Sequence, residues 1–190
     1  NNFAKLPVLT YGVNDIVEFE GNQSRVSLKD NISIVGFWGG DIENKKSEAL
    51  NLNQKIYKRF YEFQDFQFVF LYNVEESKAI EDLKLELVSG VGTDLKKWNF
   101  IPTSQSSIND VFNSFKTNLE LDQNFSTPYV FIVDRDLNLR GRDDDEDTGM
   151  LFGFNSQSVA EINNKMVDDV KIILAEYRLA LKKNDSLFNE

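Results

Sequence analysis

The chain contains no cysteine and no histidine among its 190 residues. That excludes a disulfide framework, thiol redox chemistry, every metal centre built on thiolate or imidazole, and nucleophilic catalysis with a histidine base. It leaves the redox compartment undetermined, because neither bridges nor free thiols can be read. No run of 18 apolar residues occurs, so no segment has the length and apolarity of a membrane-spanning helix. Positive charge is in deficit: 21 Lys and Arg face 31 Asp and Glu, giving a net charge of −10, where a nucleic-acid surface needs clustered cations. A basic partner suits the chain better. Only 3 prolines and 10 glycines interrupt it, and internal repeats and low-complexity tracts are missing.

What is present is core material. Sixteen Phe and six Tyr fall mostly inside periodic segments, and 41% of the residues are hydrophobic, enough for one domain over residues 1–190. Residues 1–14 read as an extended arm and 184–190 as a frayed tail. "DIVEFEG" and "SRVSL" alternate apolar and polar residues around Gly21 and Asn22, which predicts an N-terminal β-hairpin. Ile32 to Phe37 and "FQFVFLYNV" lack clean alternation and predict central strands covered on both faces. Between them Ala49, Leu52, Ile56, Phe60 and Phe63 recur at helical spacing. Ile80, Leu83 and Leu87 predict a helix stopping near Gly90 and Gly92, and "KWNFIP" a strand stopped by Pro102.

Ser107 with Asp110 resembles a capping box opening a helix with Ile108, Val111, Phe112 and Phe115 on one face. "YVFIVD" and "LNLRG" are two strands around a "DRDLN" turn. Ser158 with Glu161 opens the longest helix, its stripe running through Val159, Ile162, Met166, Val170, Ile173, Tyr177 and Leu181. Strand-helix-strand units followed by an antiparallel pair and a closing helix predict an α/β protein, with a mixed central sheet and helices on both faces. That is the thioredoxin-like arrangement.

The order and spacing of several strings resemble the Sco (SenC) family, thioredoxin-fold proteins that deliver copper to cytochrome oxidase or control thiol redox state there. The strings are "LPVL" in the arm, "SLKDNISIVGFW" leading into the central strand, "KKWNFI", "YVFIVDRDLNLRG" and "VDDVKIILAEY", together covering residues 6 to 182. The family places a Cys-x-x-x-Cys pair after the central strand, which an ungapped count puts at Ile42 and Lys46. A family histidine about eight residues before Asp134 falls at Ser126. The resemblance therefore implies a vestigial site made of Trp38, Gly39, Gly40, Asp41, Ile42, Lys46, Ser126 and Pro128, with Pro128 in the cis form. It implies a degenerate member with no catalytic residue, no cofactor and no metal ligand.

The function implied is a binding or assembly partner in a respiratory or copper-related membrane complex, on the periplasmic side of the bacterial inner membrane, anchored or exported. The start on Asn1 rather than Met reads as a processed or engineered terminus, and membrane contact is expected only through an anchor outside this sequence. The alternative is a thioredoxin-fold module that binds a small ligand or divalent cation without thiol chemistry. A third reading is an enzyme using carboxylates.

Other motifs are weaker. "DRDLN" mimics the start of a calcium loop, but Leu139 and Asp145 stand where an EF-hand needs Gly and Glu, so a β-turn is the reading. "GGD" and "SGVGTD" lack phosphate-loop spacing. The five acids at 143–147 read as a solvated, self-repelling loop, with weak divalent binding as the alternative. In "TGMLFGFNSQ", Met150, Leu151, Phe152 and Phe154 follow no period. They either fold over the core or form a partner contact steered by the neighbouring acids.

Overall fold

The computed structural model describes residues 4–91 and 94–188. A seven-stranded sheet runs in the order β1-β6-β5-β2-β3-β4, with β9 (Phe154–Asn155) also paired to β5. At its centre β2 (Ile32–Gly39) and β3 (Phe66–Asn73) lie parallel and every residue of both is buried. This is why their sequences are continuously apolar: helices or turns cover both faces, and no position has a solvent side to make polar. β4 (Trp98–Thr103) continues the parallel set beyond β3. On the other flank β5 (Tyr129–Val133), β6 (Leu139–Arg140) and β1 (Val8–Thr10) add antiparallel to their neighbours. The N-terminal arm thus carries an edge strand. Asp134 closes the predicted turn between β5 and β6, its Oδ1 accepting the Asp136 and Asn138 N–H groups at 2.8 and 3.0 Å.

One face packs against α1 (Lys46–Leu52), α3 (Ser77–Val91) and α6 (Val167–Phe188) through Ala49, Leu52, Ile80, Leu87, Val170 and Ile173. α1 continues through a π-helical turn, Asn53–Tyr57, into α2 (Lys58–Phe60). α6 is preceded by α5 (Val159–Glu161) and a second π-helical turn, Ile162–Met166. The opposite face meets α4 (Gln105–Ser114) through Ile108, Val111 and Phe112, with Phe115 just beyond it. There Phe37, Phe112, Phe115 and Phe131 pack edge to face, with Phe37 5.3 Å from Phe112 and 5.4 Å from Phe115.

The structure corrects several expectations. No N-terminal hairpin forms, because side chains take the backbone groups a ladder would use. Asp15 accepts the N–H groups of Ile16, Leu28 and Lys29, and Asn22 bonds both ways with Val26. The segment becomes a set of turns that folds Val13, Ile16 and Leu28 onto the α4 face. Pro102 does not stop β4, which runs to Thr103; β4 is the sheet edge, and an edge tolerates a missing N–H. The cap of α4 is Ser104, whose side chain accepts the Ser107 N–H at 3.2 Å, rather than Ser107 itself. Ser158 does cap its helix, accepting the Glu161 N–H at 3.1 Å. Val159 and Leu181 leave the predicted stripe and are exposed at its two ends. α3 passes Gly90 and reaches Val91, while Gly92 lies outside the described residues. The tail is helical to Phe188, and Asn189 and Glu190 lie outside the described residues.

Candidate functional site

The strand β2 ends by sending Phe37 to one face and Trp38 to the other, where the indole meets Phe70 at 4.6 Å. The chain then turns sharply at Gly39, with φ of +52°. A Cβ there would lie 2.0 Å from the Asn124 carbonyl oxygen and 2.4 Å from that of Phe125, so only glycine admits this approach. Gly40 N–H donates to the Asn124 carbonyl at 2.9 Å, and Thr127 N–H to the Phe37 carbonyl at 2.9 Å. Asp122 shapes the approaching loop by accepting the Asn124 and Ser126 N–H groups at 2.8 and 3.1 Å. The fold therefore docks Gly39 and Gly40, just after Trp38, on the loop that carries Ser126.

Ile42 and Lys46 separate. Ile42 precedes the helix, in a turn closed by the Lys45 N–H on its carbonyl at 3.0 Å, and its side chain is buried in the core. Lys46 opens α1 on the surface, with Nζ 2.9 Å from Glu86 Oε2 and both side chains about half exposed or more, at 61% and 49%. Asp41 is occupied by Asn44, whose side-chain amide donates to Oδ1 at 2.7 Å. No described peptide bond is cis, Thr127–Pro128 included, which corrects the cis expectation. The Thr127 N–H bonds the Phe37 carbonyl beyond the last paired residues of β2 and β5, and Pro128 immediately precedes β5.

The residues that fill this corner were not among those singled out from sequence. Lys45 and Glu48 form a buried ion pair, Nζ to Oε2 3.3 Å, with side chains 4% and 1% exposed. The Ser156 hydroxyl lies 3.3 Å from Glu48 Oε1 and 2.5 Å from the Pro128 carbonyl, which also accepts the Ser156 N–H at 3.0 Å. Burial pushes the Glu48 carboxyl above its ordinary range, against the opposing pull of Lys45 and Ser156. The available signal was period: Lys45 precedes Ala49 by four residues and Glu48 precedes Leu52 by four, so both lie on the buried stripe. Two buried polar atoms in this region, Asn73 Oδ1 and Ser126 Oγ, have no protein partner.

These residues do not fit copper. An isoleucine methyl in the core, an ion-paired surface ammonium and a lone hydroxyl offer neither soft ligands nor convergence. Among the described residues no group of three or more Asp or Glu is placed to hold a metal ion.

Four of the five acids, Asp143, Asp144, Glu146 and Asp147, are exposed, but the run is not an irregular loop. It forms a hairpin of β7 (Arg142–Asp145) and β8 (Gly149–Leu151), and Asp145 is buried. Two cations reach part of it: Lys165 Nζ lies 2.9 Å from Asp145 and 2.8 Å from Asp147, and Arg142 lies 3.6 Å from Asp145 while making two bonds of 2.8 and 3.0 Å to Asp169. The apolar segment after it folds over the core. Leu151 and Phe154 are buried in the helix-covered cluster, and Phe152 packs half-buried against the other, which removes Leu151 and Phe154 as partner contacts. Phe154 belongs to β9 (Phe154–Asn155), paired with β5. Met150 alone of the four is exposed.

No family model and no curated protein sequence matches the chain. Solved structures do resemble it. BsSco, a member of the Sco family of cytochrome c oxidase assembly proteins, is 16% identical with a TM-score of 0.56, over 90% of this chain and 96% of that one. A SCO1/SenC family lipoprotein from Bacillus anthracis str. Ames is 14% identical with a TM-score of 0.57, over 88% and 98%. A putative protein disulfide isomerase from Bacteroides thetaiotaomicron is 12% identical with a TM-score of 0.54, over 90% and 95%. At such identities the likeness is one of fold, and it spans nearly the whole of each chain. The mixed sheet with helices on both faces is the thioredoxin-like fold in the form that Sco/SenC proteins take, here in a chain without cysteine or histidine.

Proposed function

We propose that this chain is a non-catalytic Sco-like domain, acting as a binding or assembly partner in a respiratory or copper-related complex on the outer face of a bacterial inner membrane. The observation that carries this reading is the state of the junction after β2. Its backbone frame, Gly39 and Gly40 docked on the 122–128 loop, is intact, while the positions the family gives to ligands hold a core isoleucine and a surface lysine. A frame kept without its reactive groups fits recognition better than chemistry. Exported, membrane-attached location draws on the likeness to a SenC family lipoprotein.

The test has two parts. Titration with Cu(I) against a competing chelator is expected to show no stoichiometric tight site; one would overturn the loss of copper function. Capture from detergent-solubilised respiratory membranes is expected to retain oxidase or copper-handling subunits, and their absence would overturn the partner role. A second reading, a small polar ligand or divalent cation held in the cleft, draws on the unpartnered Asn73 and Ser126 oxygens. It is supported instead if such a ligand raises the thermal midpoint and Ser126→Ala abolishes the rise.

A further inference from the structure

The helical period puts one charged stripe on α6: Lys171, Leu174, Ala175 and Arg178 recur at intervals of three and four and share a face. That face meets the end of α2 and the turn after it at a cleft of about 380 Å³, lined from the α2 side by Arg59, Phe60, Glu62 and Phe63. Leu174 is buried and Phe60 and Phe63 are half-buried against the helix-covered core, whereas Arg59, Lys171 and Arg178 are exposed. The floor is therefore apolar and the rim is charged.

The rim runs against the charge of the chain. Acids exceed bases by 10, and Arg25, Arg135, Arg140 and Arg142 each lie within ion-pair reach of a carboxylate. The two remaining arginines, Arg59 and Arg178, both line this cleft, and neither they nor Lys171 has an ion pair or a hydrogen bond from its cationic group among the described residues. Glu62 is the carboxylate of the lining; its Oε1 accepts the Tyr61 hydroxyl at 3.4 Å, and it lies within ion-pair distance of none of the three cations. Positive charge therefore prevails in the cleft.

Rings hold the two guanidinium groups where acids hold the others. Arg59 lies over the Phe60 ring, 5.6 Å from its centroid, and Arg178 over the Phe63 ring at 5.7 Å. Such a contact engages the flat face of the guanidinium and leaves the N–H groups along its edge, whose spacing matches two oxygens of a carboxylate or phosphate. Each group is thus restrained in place and still unsatisfied, so less freedom is lost when an acceptor arrives.

We infer that this cleft binds a small amphipathic anion, a carboxylate or phosphate carried on an apolar body. The head takes the guanidinium edges of Arg59 and Arg178 and the Lys171 ammonium, and the body lies on Phe60, Phe63 and Leu174. A cavity of about 380 Å³ stands near the lower end of ligand sites, roughly 300–1,000 Å³, which restricts a free occupant to the size of a ring system or a short chain. A cation is opposed by the rim, and a neutral molecule of the same shape would cover donors without supplying an acceptor. The site goes beyond the partner role proposed above, does not rest on it, and shares no residue with the junction after β2.

The experiment uses the whole chain, with 2-naphthoate as the soluble probe and phosphatidylglycerol vesicles as the lipid probe. Calorimetric titration with 2-naphthoate is expected to show one saturable site at low salt, weakened on the order of tenfold in Arg59→Gln/Arg178→Gln and weakened also by added salt. Lys171→Gln, which touches neither ring contact, should weaken it in the same direction and by less. 2-Naphthamide has the same body without the charge and should bind on the order of tenfold more weakly. The thermal midpoint of each variant alone should stay close to that of the parent, since the three side chains are exposed. Vesicle sedimentation assigns the source: capture that the double variant abolishes identifies a lipid head, and 2-naphthoate binding without capture identifies a free acid. Equal binding of 2-naphthamide, indifference of either probe to the double variant, or no binding of either probe would overturn the inference. So would loss of binding in Ser126→Ala, because the ligand would then sit at the junction after β2. The copper titration reads independently of each of these outcomes.

Discussion

The junction after β2 and the hairpin after β6 both bury a carboxylate almost completely, yet they hold it in opposite ways. Glu48 and Asp145 side chains are each 1% exposed. Glu48 has one cation at 3.3 Å and a shared serine hydroxyl, and burial prevails, so its carboxyl is pushed up. Burial also pushes Asp145 upward, but Lys165 at 2.9 Å and the backbone N–H groups of Asp147 and Thr148 at 3.1 and 3.2 Å outweigh it and hold the carboxyl low. Equal burial does not mean equal electrostatics; the number and closeness of donors decide the sign. The hairpin is a satisfied clasp between β7 and the 165–169 stretch of the closing helix. The junction is a plug with few donors.

The largest effect should come from breaking the plug on its anionic side. Glu48→Leu leaves the Lys45 ammonium buried without its carboxylate, and chemical denaturation is expected to show a loss of about 3–5 kcal/mol. Lys45→Met should cost less, because a carboxyl already pushed up takes a proton and becomes neutral. The double change Lys45→Met/Glu48→Leu should recover most of the loss. Equal costs for the two single changes would refute the asymmetry.

Next in size is the clasp. Arg142→Ala removes both bonds to Asp169 and should cost about 2 kcal/mol, the scale of hydrogen bonds between charged groups. Arg142→Lys should restore only part, since an ammonium cannot supply two parallel bonds.

A pH series sharpens the contrast. Asp145, held low in the folded chain, contributes stability that is present above its unfolded pKa and lost as pH falls through the folded value. Glu48, pushed up, contributes stability that is present below its unfolded pKa and lost as pH rises through the folded value. Thermal midpoints measured from pH 3 to 8 should therefore lose part of their acid-side fall in Asp145→Asn, and part of their neutral-side fall in Glu48→Gln. The reverse assignment would show that the donors at one of the two sites are not engaged in solution. The smallest effect belongs to Lys46→Ala, next in sequence to the plug but paired with Glu86 on the surface. A change within about 0.5 kcal/mol is expected.

How far these features could be read in advance varied with their range. The apolar runs of β2 and β3 and the helical stripe from Ala49 were legible because burial on both faces, or on one stripe, leaves a period in the sequence. The Ser158 cap was legible because its partner is three residues away. The failures share a cause. Asp15 looks like the start of a strand and Asn22 like a turn residue between strands, and only their bonds to Leu28 and Val26 show that they replace the ladder. The acids at 143–147 look like a repelling run until Lys165 and Arg142, one from the far helix, are brought to them.

Composition and periodicity alone determined that the chain is an α/β protein whose helices cover a mixed sheet. The missing cysteine and histidine determined, without any coordinates, that no thiolate or imidazole site exists anywhere in it. These are properties of residue type and local spacing. Tertiary structure decided that Ile42 faces the core while Lys46 faces solvent, that Glu48, paired with Lys45, meets Ser156 across 108 residues of chain, and that β4 lies at an edge. Each of those depends on which distant segments pack together, and a charge or a strand acquires its energetic meaning only from the partners that packing supplies.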